Sequence, residues 1–189
     1  MLKNLNFPNG ITLIYGPPAS GKSTLCFQIT ANNPGKIIFI DTENSCNIER
    51  IQQINPLTNL NNIIIIEAKR YSEQCTAVKN IASMKNISLV IIDSFTVHYR
   101  KKNSAEKKLF INKSFRKMLY QLKGLKIPVI ITSQIYSDFK KDFHPIAENI
   151  LEKFSQYTLR LDNNKQRIIY IEQLKLEIPF IITEKGLST

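Results

Sequence analysis

The sequence predicts an α/β fold: a mostly parallel, twisted sheet flanked by helices and extended by antiparallel strands near its C-terminal end. Three observations predict it. Short runs rich in Ile and Val alternate with segments of helical period, the pattern of strands that cross over through helices into a parallel sheet. A glycine-rich turn falls between the first strand and the first helix, as in nucleotide-binding α/β folds. In the tail the apolar residues alternate with polar ones, as antiparallel strands with one wet face require. At 189 residues with 43% hydrophobic side chains, the chain reads as one domain spanning residues 1–189.

Ile11 to Tyr15 reads as a strand entering the glycine turn, and Lys22 to Thr30 as the helix behind it. Asn33-Pro34-Gly35 ends that helix, because Pro cannot continue it and Gly accepts a positive φ. Lys36 to Ile40 is the second strand and Ile48 to Ile54 a short helix. Ile63 to Glu67 is a third strand, whose nearly unbroken apolar run predicts burial on both faces. Ser72 to Met84 reads as a helix, Leu89 to Ile92 as a fourth strand ending in Asp93, and Ser104 to Leu122 as the longest amphipathic helix. Ile127 to Thr132 is a fifth strand leading to Gln134; a polar loop and a short helix, Ala147 to Phe154, follow. Tyr157 to Leu161, Arg167 to Ile171 and Phe180 to Thr183 read as antiparallel strands, with Asn163-Asn164 as a hairpin turn signal.

Lys and Arg number 26 against 15 Asp and Glu, a net charge of +11 that attracts polyanions, nucleic acid first among them. An AT-rich genome would also enrich a chain in Lys, Asn and Ile, so charge alone leaves the partner open. Cys26, Cys46 and Cys75 are an odd set without Cys-x-x-Cys spacing, which suggests neither a disulfide framework nor a zinc site. No basic start followed by an apolar run opens the chain, and no apolar stretch approaches the ~20 residues that cross a bilayer, so a cytoplasmic protein is expected.

Gly16-Pro17-Pro18-Ala19-Ser20-Gly21-Lys22-Ser23 matches Gly-x-x-x-x-Gly-Lys-Ser in the strand-turn-helix context that makes the match specific. The chemistry needs these residue types: backbone N–H groups wrap the phosphates, glycines permit close approach, and the helix start favours negative charge. Lys22 is expected on the β- and γ-phosphates of ATP and Ser23 on Mg²⁺, with Thr24 beside it as the alternative hydroxyl. Leu89-Val90-Ile91-Ile92-Asp93 is an apolar strand ending in one carboxylate, which assigns Asp93 to the Mg²⁺ through water. No second acid adjoins Asp93, so a base for the attacking water must come from elsewhere. Glu43, in Asp41-Thr42-Glu43 after the second strand, is the candidate, against the reading of an exposed loop carboxylate. His98 and His144 read as structural residues.

With these pieces in order, the chain resembles the RecA superfamily of recombination ATPases, and within it the short archaeal branch called RadB. The phosphate loop carries the resemblance together with Asp41-Thr42-Glu43 and Glu49-Arg50-Ile51, Val90-Ile91-Ile92-Asp93-Ser94 with Tyr99-Arg100, and Ile131-Thr132-Ser133-Gln134 with Tyr136-Ser137-Asp138. It implies a RecA-like P-loop NTPase core. It also implies that Glu43 is the catalytic glutamate, that Arg50 lies over the adenine, and that Gln134 senses the γ-phosphate and passes its state to the next loop. DNA contact would come from the loops after Asp93 and Gln134, which here carry Arg100, Lys101 and Lys102, and Lys140 and Lys141, with aromatic neighbours suited to single strands.

Fifteen residues precede Gly16, so the N-terminal helical DNA-binding domain and polymerisation linker of full recombinases are not expected. The resemblance therefore implies an accessory ATPase of DNA repair and homologous recombination that binds MgATP, hydrolyses it weakly, binds DNA, works beside a full-length recombinase and associates with the nucleoid. A homo-oligomer is also open. Two other readings stand beside it: a P-loop small-molecule kinase, for which no acceptor pocket or arginine-bearing lid stands out between Ile54 and Ser88, and an adaptor that holds ATP without hydrolysing it.

Overall fold

The computed structural model describes residues 7–99, 105–137, 143–164 and 166–189. The chain runs β1 (Gly10–Tyr15), α1 (Lys22–Asn32), β2 (Lys36–Asp41), α2 (Ile48–Ile54), β3 (Ile63–Glu67), α3 (Tyr71–Ile81), β4 (Ile87–Asp93), α4 (Ala105–Gly124) and β5 (Pro128–Ser133). There follow β6 (Ile135–Ser137), β7 (Phe143–Pro145), α5 (Glu148–Phe154), β8 (Ser155–Asp162), β9 (Ile168–Ile171), β10 (Leu176–Pro179), β11 (Ile181–Thr183) and β12 (Gly186–Ser188).

One eight-stranded sheet has the order β10-β9-β8-β1-β5-β4-β2-β3. β8, β1, β5, β4, β2 and β3 run parallel, and β9 and β10 return antiparallel. Because side chains alternate across the pleat, each inner strand feeds two cores. Leu13, Ile38, Ile40, Val90, Ile92 and Ile131 meet α3, α4 and α5 on one face. Ile14, Phe39, Leu89, Ile91 and Ile130 meet α1, α2 and the tail on the other.

The local signals act as expected at several ends. α1 starts after Gly21, whose φ of 102° suits glycine, and stops where Asn33 turns extended ahead of Pro34. Asn47 caps α2 by accepting the Arg50 N–H at 2.8 Å.

Four expectations are corrected. β3 is not buried on both faces: it forms the sheet's edge, and Ile63 through Ile66 are only half-buried. β8 is antiparallel to β9 but parallel to β1, so the tail joins the main sheet. The segment after Gln134 is not all loop, since β6 and β7 pair antiparallel there. The last predicted strand shortens to β11 and pairs with β12 in a separate hairpin.

That hairpin is fastened to α1 by Gln28, a buried residue whose amide donates to Leu187 O at 3.2 Å and accepts the Leu187 N–H at 2.6 Å. Gln28→Ala would orphan both groups of a buried residue, at about 1–3 kcal/mol each. Denaturant titration is expected to show a stability loss of that order, with the C-terminal hairpin cleaved earlier in limited proteolysis.

Candidate functional site

Parallel strands bring their carboxyl ends to one edge of the sheet, and β1, β5, β4 and β2 each deliver a predicted site residue there. β1 runs into the phosphate loop. A Cβ on Gly16 would collide with the Leu161 carbonyl oxygen of β8, so the loop can leave the sheet this closely only with glycine there. The loop is also gripped from the tail: Asn163 donates to Pro18 O at 3.1 Å and Arg167 to Ala19 O at 2.8 Å.

Lys22 Nζ curls into the turn, donating to Gly16 O and Pro17 O at 2.9 Å each. Burial lowers its pKa, against the opposing pull of Asp93 and Glu43. Asp93 is buried at the end of β4, where Oδ1 accepts the Thr132 hydroxyl at 2.5 Å. Burial raises its pKa, opposed by the Ser23 and Thr132 hydroxyls and then by Lys22.

The turn carrying Glu43 is shaped by Asp41, whose carboxylate accepts the Glu43 N–H at 3.1 Å and the Cys46 N–H at 2.7 Å. Thr42 fixes it to β4: its hydroxyl donates to Ser94 O at 2.7 Å and accepts the Ser94 N–H at 2.8 Å. β5 is joined to the same block, with Phe95 N–H on Thr132 O at 2.9 Å and Gln134 N–H on the Thr96 hydroxyl at 3.3 Å. Exposed on this base, Glu43 Oε1 accepts the Gln134 amide at 3.0 Å.

Mg²⁺ and a triphosphate fit the residues present. Asp93 Oδ2 is buried with no hydrogen-bond partner, and a buried carboxylate oxygen left unpaired is the kind of group that a cation compensates. Ser23 and Asp93 would hold the ion. Lys22, held by loop carbonyls, is a cation that a phosphate would compensate. Mg²⁺ would supply charge neutralisation at the phosphate oxygens.

Arg50 does not stand free. Its guanidinium donates to Thr183 O at 2.6 Å and Glu184 O at 2.9 Å, in the turn between β11 and β12. Next to the phosphate loop lies a cavity of about 680 Å³ lined by Arg167, Phe180, Ile181 and Ile182 among others. The side chains of Phe180 and Ile182 also lie against Gly21.

Arg100, Lys101, Lys102, Lys140 and Lys141 lie outside the described residues. Tyr99, beside them, is not available for base stacking: its ring packs 5.2 Å from Phe115 and its hydroxyl donates to Asn112 at 3.0 Å. His98 is buried with its ring nitrogen 2.9 Å from Ala68 O, and His144 lies 2.7 Å from Glu148, as structural residues would. The described residues contain no group of three His, Cys, Asp or Glu able to hold a metal, and no helix long and apolar enough to cross a membrane.

Asp41, Thr132, Asn163 and Arg167 were not assigned a role in the site from the sequence. Thr132 had a weak signal, two residues before Gln134 on a strand aimed at the site; Asn163 and Arg167 had none, because the strands between hide their proximity to the phosphate loop.

Cys46 offers a check on this electrostatic arrangement. Burial, then Asp41 and Asp93, push its thiol up to about 12. It is expected to alkylate with iodoacetamide at pH 8 at least ~10-fold more slowly than a small free thiol, because the thiolate is the nucleophile. Peptide mapping by mass spectrometry reads this directly.

Strand order, phosphate loop and a single carboxylate closing β4 define a P-loop NTPase with a RecA-type core. Residues 7–188 match the Rad51 family profile, and the chain belongs to the Rad51 family. Proteins of the RecA and Rad51 group are ATPases that take ATP with Mg²⁺. The "DNA repair and recombination protein RadB" of Methanocaldococcus jannaschii is 34% identical over 210 residues, covering 100% of this chain and 99% of that one. The RadB of Thermococcus sibiricus is 32% identical over 197 residues, covering 94% and 86%. A solved structure, "Crystal structure of the RadB recombinase", superposes with a TM-score of 0.79 at 29% identity, covering 96% of this chain and 90% of that one.

Proposed function

We propose that this chain is a single-domain accessory ATPase of DNA repair and homologous recombination. It binds MgATP, hydrolyses it slowly, binds DNA and assists a full-length recombinase in the cytoplasm, at the nucleoid. The observation that carries the reading is the convergence of Lys22, Asp93, Glu43 and Gln134 on one sheet edge, with Glu43 bonded to Gln134 at 3.0 Å.

In this reading Lys22 binds the β- and γ-phosphates, and Ser23 and Asp93 hold the cation. Glu43 accepts a proton from the water whose oxygen attacks the γ-phosphorus as the bond to ADP breaks. Gln134 ties the fate of the terminal phosphate to the segment that follows β5. Arg50 and the cavity beside the terminal hairpin receive the base.

Glu43 stands exposed, so the base has no wall of its own among the described residues. That supports slow turnover until a neighbouring subunit, DNA or a partner covers the edge. The names of the relatives and the net charge of +11 support DNA as the polyanion, met by Arg100, Lys101, Lys102, Lys140 and Lys141. Steady-state ATPase of the purified chain, with and without single-stranded DNA and a partner recombinase, tests this. Slow basal turnover that rises on addition is expected; brisk turnover by the isolated monomer would overturn the accessory reading.

A further inference from the structure

We infer that the exposed face of α4 is a binding track for single-stranded nucleic acid, separate from the loops at the strand ends. Steps of three, four and three residues put Phe110, Lys113, Lys117 and Tyr120 on one side of the helix, with Arg116 and Lys123 beside them. The opposite side, Ile111, Phe115, Met118, Leu119 and Leu122, is buried in the core. All four cations of this face are exposed. Phe110 is 68% exposed and Tyr120 67%, two large rings left in water on a helix that already buries an apolar face.

From Phe110 to Gly124 the sequence has no Asp or Glu. A merely solvated helix face usually intersperses both signs, because i,i+4 pairs stabilise it and like charges repel. Within this stretch the like charges have no acid interspersed among them, and a polyanion would relieve their repulsion.

Tyr120 is set edge-on against Phe154, with centroids 4.7 Å apart and planes at 85°, which fixes the ring's orientation. Phe110 and Tyr120 are ten residues and thus about 15 Å apart along the axis, with cations between them. Rings interleaved with cations suit single strands, whose bases offer open faces while the backbone supplies charge. A duplex hides those faces, and a membrane would need the apolar side of the helix, which is already taken.

The inference rests on the DNA-binding role proposed above, and one assay separates the two. Anisotropy of labelled oligothymidylate, over a salt series, compares the intact chain with the variant K113Q/R116Q/K117Q/K123Q and with Phe110→Ala. A hairpin duplex serves as the second probe; circular dichroism and retained MgATP uptake show that each variant is folded.

The quadruple variant is expected to bind at least ~10-fold more weakly, with a salt slope shallower by roughly 0.7 per cation in contact. Phe110→Ala is expected to weaken single-strand binding about fivefold or more while leaving duplex binding unchanged. If the intact chain binds the oligonucleotide and both variants match it, the α4 track is wrong and the loop contacts stand. Equal weakening on both probes, with Phe110→Ala silent, overturns the single-strand assignment. No binding by the intact chain overturns the DNA-binding role itself.

Discussion

Glu43→Gln is expected to lower turnover by ~10²- to 10⁴-fold while leaving MgATP affinity within a few-fold of the parent. The substitution keeps the shape of the side chain and removes its basicity. Gln134 is still able to donate its amide to the new amide oxygen, so the contact seen at 3.0 Å persists. Asp41 and Thr42 hold the turn through backbone groups that the change does not touch. A loss confined to kcat therefore reports on proton acceptance alone, read by phosphate release alongside equilibrium binding of a fluorescent nucleotide. Unchanged phosphate release in the variant would remove Glu43 as the base, and no release above background by either protein would make ATP a structural ligand and the chain an adaptor.

Lys22→Ala is expected to weaken MgATP binding by at least about 10- to 100-fold, the range for losing charged hydrogen bonds. The apo protein should not lose stability at neutral pH. Burial lowers the Lys22 pKa, so the folded state holds that proton less tightly than the unfolded state does. A lysine of this kind costs stability at every pH below its lowered pKa, and the cost fades as pH rises through that value towards the unfolded one. Wherever the pH lies below that lowered value the cost is present, and alanine removes it. Thermal shift separates the effects: at one MgATP concentration the parent's Tm should rise by more than the variant's, while the apo Tm stays equal or rises. An equal MgATP-induced rise in both would remove Lys22 from the phosphate site.

Much of the fold was legible because the deciding signals are local. α2 and β3 have the predicted bounds: Asn47 is a capping residue just ahead of the first, and Ile63 begins an apolar run closed by Glu67. What failed needed distant partners. An apolar run reads alike in a central strand and at an edge, so nothing in Ile63–Ile66 tells that β2 covers one side only. β6 and β7 are three residues each and contain Ser137, His144 and Pro145, too short for a period to show.

The site divided in the same way. The phosphate loop and Asp93 were readable because a motif or a strand end holds them within a few residues. The Glu43–Gln134 contact spans 91 positions, and the grip of Arg167 on Ala19 spans 148. Neither leaves a trace in local spacing. Arg50 was expected at the base from resemblance, whereas its bonds to Thr183 and Glu184 depend on where the tail returns.

The hydroxyls that join the strand ends have a mechanical consequence. Thr42 ties the Glu43 turn to β4, while Thr132 and Thr96 tie β4 to β5. Three neighbouring strand ends therefore form one plate, and a displacement started at any of them is shared by the others without delay. Tyr99 and Gln134 are both bonded to Thr96 in that plate, so a disturbance at either should register at both.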